Sequence, residues 1–147
     1  MTDVDYTAAS WQLTMKAGVE RYLQAFNDHD AAALDALFAE GALVEDPYGT
    51  TVCDGTATSK TVREFFEGLV PMIAAVQLDA PIRGSDGDAA AFCFELEIAV
   101  PEGPPMVVRA IDVMKFNREG KIYHMQAFHG SLDRMVESAR VTSSPGA

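Results

Sequence analysis

Between Ala89 and Val100 the side chains alternate with a period of two. Phe92, Phe94, Leu96, Ile98 and Val100 share one parity, and Glu95 and Glu97 take the other. Only an extended strand sends successive residues to opposite faces, so the segment is expected as a strand with one face buried and one wet. Met106–Asn117 repeats the pattern: Met106, Val108, Ala110, Met114 and Phe116 form an apolar row, opposed by Arg109, Lys115 and Asn117 mixed with Val107, Ile111 and Val113. The intervening Pro101-Glu102-Gly103-Pro104-Pro105 reads as a hairpin loop. A further strand is expected over Ile73–Ile82, before the polar turn Arg83-Gly84-Ser85-Asp86-Gly87-Asp88, and another over Lys121–Gly130, after Arg118-Glu119-Gly120.

The first half reads differently. Met15, Val19, Tyr22, Leu23 and Phe26 recur at helical spacing and predict one apolar stripe. Asn27-Asp28-His29-Asp30 interrupts it, and Asp30 is placed to cap a short helix through Phe38, with Leu34, Leu37 and Phe38 facing the core. Ala42–Asp46 is a short extended run, with Asp46 at its end because a residue before proline avoids the helical region. Thr50–Ala57 reads as loop, and Thr61-Val62-Arg63-Glu64 fits a capping box that opens a third helix ended by Pro71. Helices followed by hairpin-linked strands indicate an α+β fold, a curved antiparallel sheet with helices on one face. One domain over residues 1–147 is expected, its core at about 15–130 and its small polar tail, Val141–Ala147, frayed.

Composition narrows the function classes. Eleven Lys and Arg against 22 Asp and Glu give a formal charge of -11. Such a surface repels phosphate backbones and anionic lipid, so neither nucleic acid nor membrane is expected as a partner, and a small neutral ligand fits better. The acidic start, Met1 to Asp5, lacks the pattern of a signal peptide, and Cys53 and Cys93 are too few for a disulfide scaffold. A cytoplasmic protein is expected. His29, His124 and His129 show no metal-ligand spacing, and no nucleophile elbow, P-loop or dinucleotide fingerprint occurs.

Three positions could carry chemistry. Asp112 has the parity of the apolar row in its strand, so its carboxyl group points to the side the strand buries. Ionisation there is costly, and the group is expected to keep its proton to unusually high pH and to act as a hydrogen-bond donor. A structural pairing with Arg109 of a neighbouring chain, or the tying down of a loop, explains the same residue. In Glu45-Asp46-Pro47 only one of the adjacent acids can look inward, and periodicity does not say which, since Leu43 and Val44 are both apolar. A carboxylate at that strand end could shuttle a proton, or simply be solvated. Tyr22 lies on the helical stripe, as core packing or as a buried hydroxyl donor.

Taken together, these residues resemble the ketosteroid isomerases (steroid Δ5-isomerases), within the nuclear-transport-factor-2-like (SnoaL-like) cone fold. The matching stretches are Glu20-Arg21-Tyr22-Leu23, Ala42 to Gly49 with its Val-Glu-Asp-Pro core, Val62-Arg63-Glu64-Phe65-Phe66, Arg109 to Phe116 with Ile-Asp-Val-Met, and Met125-Gln126-Ala127-Phe128. The resemblance implies a cone-shaped curved sheet with three helices of the N-terminal half on its concave face, and a homodimer. It implies Asp46 as the base that moves a proton from C4 to C6 of a 3-oxo-Δ5-steroid, with Tyr22 and protonated Asp112 donating hydrogen bonds to the C3 oxygen. No cofactor or metal is expected, because preorganised donors can stabilise the charge that develops beside a conjugating ketone. By strand parity Phe92, Phe94, Leu96, Val108, Ala110, Met114, Met125 and Ala127 would line the steroid cavity with Phe38 and Phe66, or else simply fill the core. Phe38 and Phe66 stand where family members place tyrosines that support the catalytic one, and His129 stands at the cavity mouth where the family can carry a large aromatic residue. A polyketide cyclase or epoxide hydrolase on the same cone, and a non-catalytic steroid- or lipid-binding module, are the competing readings.

Overall fold

The computed structural model describes residues 6–136. The tail expected at Val141–Ala147 lies outside the described residues. Helix α1 (Tyr6–Asn27) runs into α2 (Ala31–Ala36), then strands β1 (Phe38–Glu45) and β2 (Thr51–Cys53), helix α3 (Val62–Leu69), and strands β3 (Ile73–Leu78), β4 (Ala89–Ile98), β5 (Met106–Phe116), β6 (Ile122–Phe128) and β7 (Arg134–Val136). The fold is α+β, as the order of periodicities predicts. No helix among the described residues is long and apolar enough to cross a membrane.

The strands form one curved, open sheet in the order β2-β1-β6-β5-β4-β3, with β7 beside β5. β4 and β5 pair antiparallel through an unbroken register from Ala89↔Lys115 to Ile98↔Met106, and this ladder sets Phe92 opposite Asp112. The expected parity holds there: Ala90, Phe92 and Phe94 are buried on the face that also buries Ala110, Asp112 and Met114. Met15, Val19, Tyr22 and Phe26 of α1 are all buried, and α1 packs on β3 and β4. Apolar burial at a period of 3.6 against burial at a period of two joins the helix to the sheet.

Some boundaries differ from the sequence reading. Asp30 does cap α2, its side chain accepting the Ala33 N–H at 3.0 Å, but the helix stops at Ala36 and Phe38 already pairs with Ile122 in the sheet. The Leu37 carbonyl accepts the Ile122 N–H at 2.9 Å, so tertiary pairing takes over where helical spacing would have run on. Leu37 is accordingly only half-buried. Thr51–Cys53, inside the expected loop, pairs with Val44 and Glu45. The sheet is not antiparallel throughout: β1 and β6 run parallel, with Leu43↔His124, Val44↔Met125 and Glu45↔Gln126 in register. β3 ends at Leu78 rather than Ile82, and only an isolated bridge from Arg83 to Ala91 continues beyond it.

Candidate active site

Tyr22, Asp46, Asp112 and His129 share one cavity of about 140 Å³ between α1, α3 and the sheet. Tyr22 reaches it from the buried stripe of α1, and Asp112 from the inward row of β5. Asp46 arrives one residue past β1. Val44 is fully buried and Asp46 shares its parity, so Asp46 faces the cavity. Glu45 faces the opposite side of the sheet, where its Oε1 meets His124 Nε2 at 2.9 Å. That contact settles which of the adjacent acids looks inward. The turn behind Asp46 is pinned: its N–H donates to the Thr50 carbonyl at 2.9 Å, and the Tyr48 N–H to the Ala127 carbonyl at 2.6 Å.

The inner end is buried. Asp112 is 2% exposed and Tyr22 3%. Burial raises the Asp112 carboxyl group well above the usual carboxylate range, the charge of Asp46 raises it further, and a hydrogen bond with Tyr22 opposes the shift. Burial also raises the Tyr22 hydroxyl well above its ordinary value, followed by the charges of Asp112 and Asp46. Once Asp112 holds its proton its charge no longer acts on Tyr22, and burial together with Asp46 still sets the same direction. Asp112 Oδ1 is buried with no hydrogen-bond partner. A neutral carboxyl group kept from water, with an unmet oxygen beside a tyrosine hydroxyl, is built to receive another polar atom.

Aromatic rings hold Tyr22 in place. Its ring lies 5.0 Å from Phe26, 6.1 Å from Phe66 and Phe92, and 6.4 Å from Phe38, centroid to centroid. Edge-on packing of this kind fixes the phenol plane but offers its oxygen no hydrogen bond. The outer end is wetter, with the Asp46 and His129 side chains 19% and 18% exposed and His129 Nε2 2.8 Å from Asp46 Oδ1.

Of the wall named from parity, Phe94, Leu96, Val108, Ala110 and Ala127 line the cavity, as does His129, which the family resemblance places at its mouth. Phe38, Phe66, Phe92, Met114 and Met125 are buried beside it, in the packed core rather than in its lining. Parity identifies the face of a strand but not the position along it, and beneath the aromatic cluster that face is filled. Phe26, Leu69, Ile73 and Ile98 line the cavity without having been anticipated. Phe26 and Ile98 were already visible on apolar stripes, so the missing information was depth. A wider depression of about 630 Å³ lies between Tyr48, Phe128, Arg109, Ile111 and Cys93, but includes neither Tyr22 nor Asp112. Among the described residues no group of three or more His, Cys, Asp or Glu side chains is placed to hold a metal.

A curved sheet closed over by helices, with buried polar groups converging in an apolar hollow, defines a small-molecule site on a cone fold. The SnoaL-like domain family matches residues 19–125, and the chain belongs to that family. It is 36% identical over 126 residues to a steroid Delta-isomerase of Nocardioides simplex, covering 85% of this chain and 97% of the relative. It is also similar to the solved structure of SalBIII, an epoxide hydrolase/cyclase-like enzyme with a role in pyran ring formation in polyether salinomycin. That likeness has a TM-score of 0.74 at 29% identity and covers 84% of this chain and 96% of the other.

Proposed function

We propose that the protein is a steroid Δ-isomerase that converts 3-oxo-Δ5-steroids into conjugated 3-oxo-Δ4-steroids by intramolecular proton transfer. The observation that carries this reading is Asp112: a fully buried acid with an unmet oxygen, sharing an apolar cavity with Tyr22 and a half-buried carboxylate. In the first step Asp46 takes the C4 proton, and the C–H electron pair flows into a dienolate spanning O3 to C6. The hydroxyl of Tyr22 and the protonated carboxyl of Asp112 donate to O3 as its charge grows. In the second step the dienolate takes the proton back from Asp46 at C6, the C3 carbonyl is restored and the double bond lies between C4 and C5. Each step leaves charge only where a donor or a carboxylate faces it, so the chemistry calls on no cofactor.

The cavity is smaller than the roughly 300–1,000 Å³ of ordinary small-molecule sites. It therefore takes the ketone end of a rigid substrate, with the remaining rings towards the mouth. The 36% identity to a steroid Delta-isomerase supports the same assignment. The likeness to an epoxide hydrolase/cyclase-like enzyme favours a second reading, opening of an epoxide by water or an internal hydroxyl. A neutral Asp112 within apolar walls suits a ketone oxygen better than an activated water. We further propose a homodimer formed through the outer sheet face, and a cytoplasmic location in keeping with free Cys53 and Cys93.

Ultraviolet absorbance of the enone tests the main reading. Wild-type protein converts a 3-oxo-Δ5-steroid, and Asp46→Asn loses most turnover while its affinity for the enone product stays within about threefold, since the lost group acts on the reacting proton and not on binding. Equal turnover in the two proteins rejects Asp46 as the shuttle. Opening of an epoxide without isomerisation of the ketone favours the second reading.

A further inference from the structure

Asp46 directly follows β1 and His129 directly follows β6. These neighbours are the parallel pair of the sheet, so both chains leave it in the same direction and the residues just past their ends meet. The meeting is direct, with His129 Nε2 2.8 Å from Asp46 Oδ1 and both side chains about one-fifth exposed, 18% and 19%. His129 Nδ1, in contrast, is buried with no hydrogen-bond partner. A ring with hydrogen on both nitrogens would leave a buried N–H bare, whereas a neutral ring with its hydrogen on Nε2 leaves only a lone pair unmet. The neutral ring fits the site and donates to the carboxylate.

We propose that His129 is a positioning residue for Asp46: its Nε2–H holds Oδ1, fixes the carboxylate plane and leaves Oδ2 as the oxygen that carries the proton. A carboxylate at the end of a strand otherwise turns freely about its last torsion, and small misplacements of a reacting atom are expensive in rate. The role belongs to the proton-transfer step and not to substrate affinity. The bond itself stands on geometry, while its kinetic consequence rests on the isomerase reading above.

Two measurements separate these. In steroid turnover, His129→Leu lowers kcat by roughly ten- to hundredfold with KM within about twofold, and His129→Gln, whose amide keeps an N–H donor, returns to within about fivefold of wild type. An unchanged kcat in His129→Leu, a change confined to KM, or a Gln variant no better than Leu overturns the proposal. Without any substrate, nitrogen-15 NMR of the histidines shows a neutral His129 ring protonated at Nε2, with a proton resonance that moves in Asp46→Ala. A ring protonated at Nδ1, or a resonance indifferent to Asp46→Ala, overturns it as well. If the wild-type protein turns over no steroid, the isomerase reading fails alone, and the NMR result still decides whether the His129 Nε2–H holds Asp46.

Discussion

Asp112 is buried, and the consequence is a stability that depends on pH. An unfolded aspartate loses its proton near pH 3.9, while burial keeps the folded Asp112 protonated well above that. Above pH 3.9 the unfolded chain therefore binds fewer protons than the folded one, and stability falls as pH rises until Asp112 itself ionises. One proton is worth about 1.4 kcal/mol per pH unit at most. Asp112→Asn removes this dependence, so the difference in urea-unfolding free energy between variant and wild type grows in the variant's favour from pH 5 to pH 7. Parallel stability curves reject a protonated Asp112. Tyr22→Phe keeps the edge-on packing with Phe26, Phe66 and Phe92 but removes the hydroxyl, so turnover slows by roughly 10²–10³ with little loss of stability. At this scale Asp112 was legible because it interrupts an otherwise apolar row. The choice between Glu45 and Asp46 was not, since both neighbours on their strand are apolar. Nor was the contact between Asp46 and His129, which depends on two strand ends brought together by topology.

Among the elements, α3 is the most completely specified by local sequence. The Thr61 side chain accepts the Glu64 N–H at 3.1 Å and the Glu64 carboxylate accepts the Thr61 N–H at 3.2 Å, the reciprocal bonds that the Thr-x-x-Glu spacing predicts. Thr61→Ala removes one of them and is expected to cost about 0.5–2 kcal/mol, read as a lower urea midpoint with an unchanged slope. The long strands β4 and β5 were equally legible, since many consecutive residues report the same period. β2, with only Thr51, Val52 and Cys53, is too short for any period to show. The parallel pairing of β1 with β6 was invisible for another reason: pairing between residues as far apart in the chain as Val44 and Met125 leaves no mark in either strand's own pattern. Yet that pairing brings Asp46 beside His129.

The molecule as a whole carries a formal charge of -11, so two copies repel each other and contact between them needs an apolar patch. The outer sheet face supplies one. Ile111 lies directly opposite Phe128, Phe128 stacks on Tyr48 at 5.1 Å and 15°, and the three are 44%, 40% and 60% exposed. If this patch joins two copies, the wild-type protein sediments as a dimer at micromolar concentration and Ile111→Glu sediments as a monomer. A monomeric wild type rejects the interface. The carboxylate of Asp46, about one-fifth exposed at the outer end of the cavity, has a consequence for what can enter. On the isomerase reading the leading end of the substrate passes this carboxylate on its way to Asp112, so a steroid with an anionic group at that leading end is expected to be turned away, while an uncharged ketone end is expected to enter. On that reading Asp46 would act as gatekeeper as well as base.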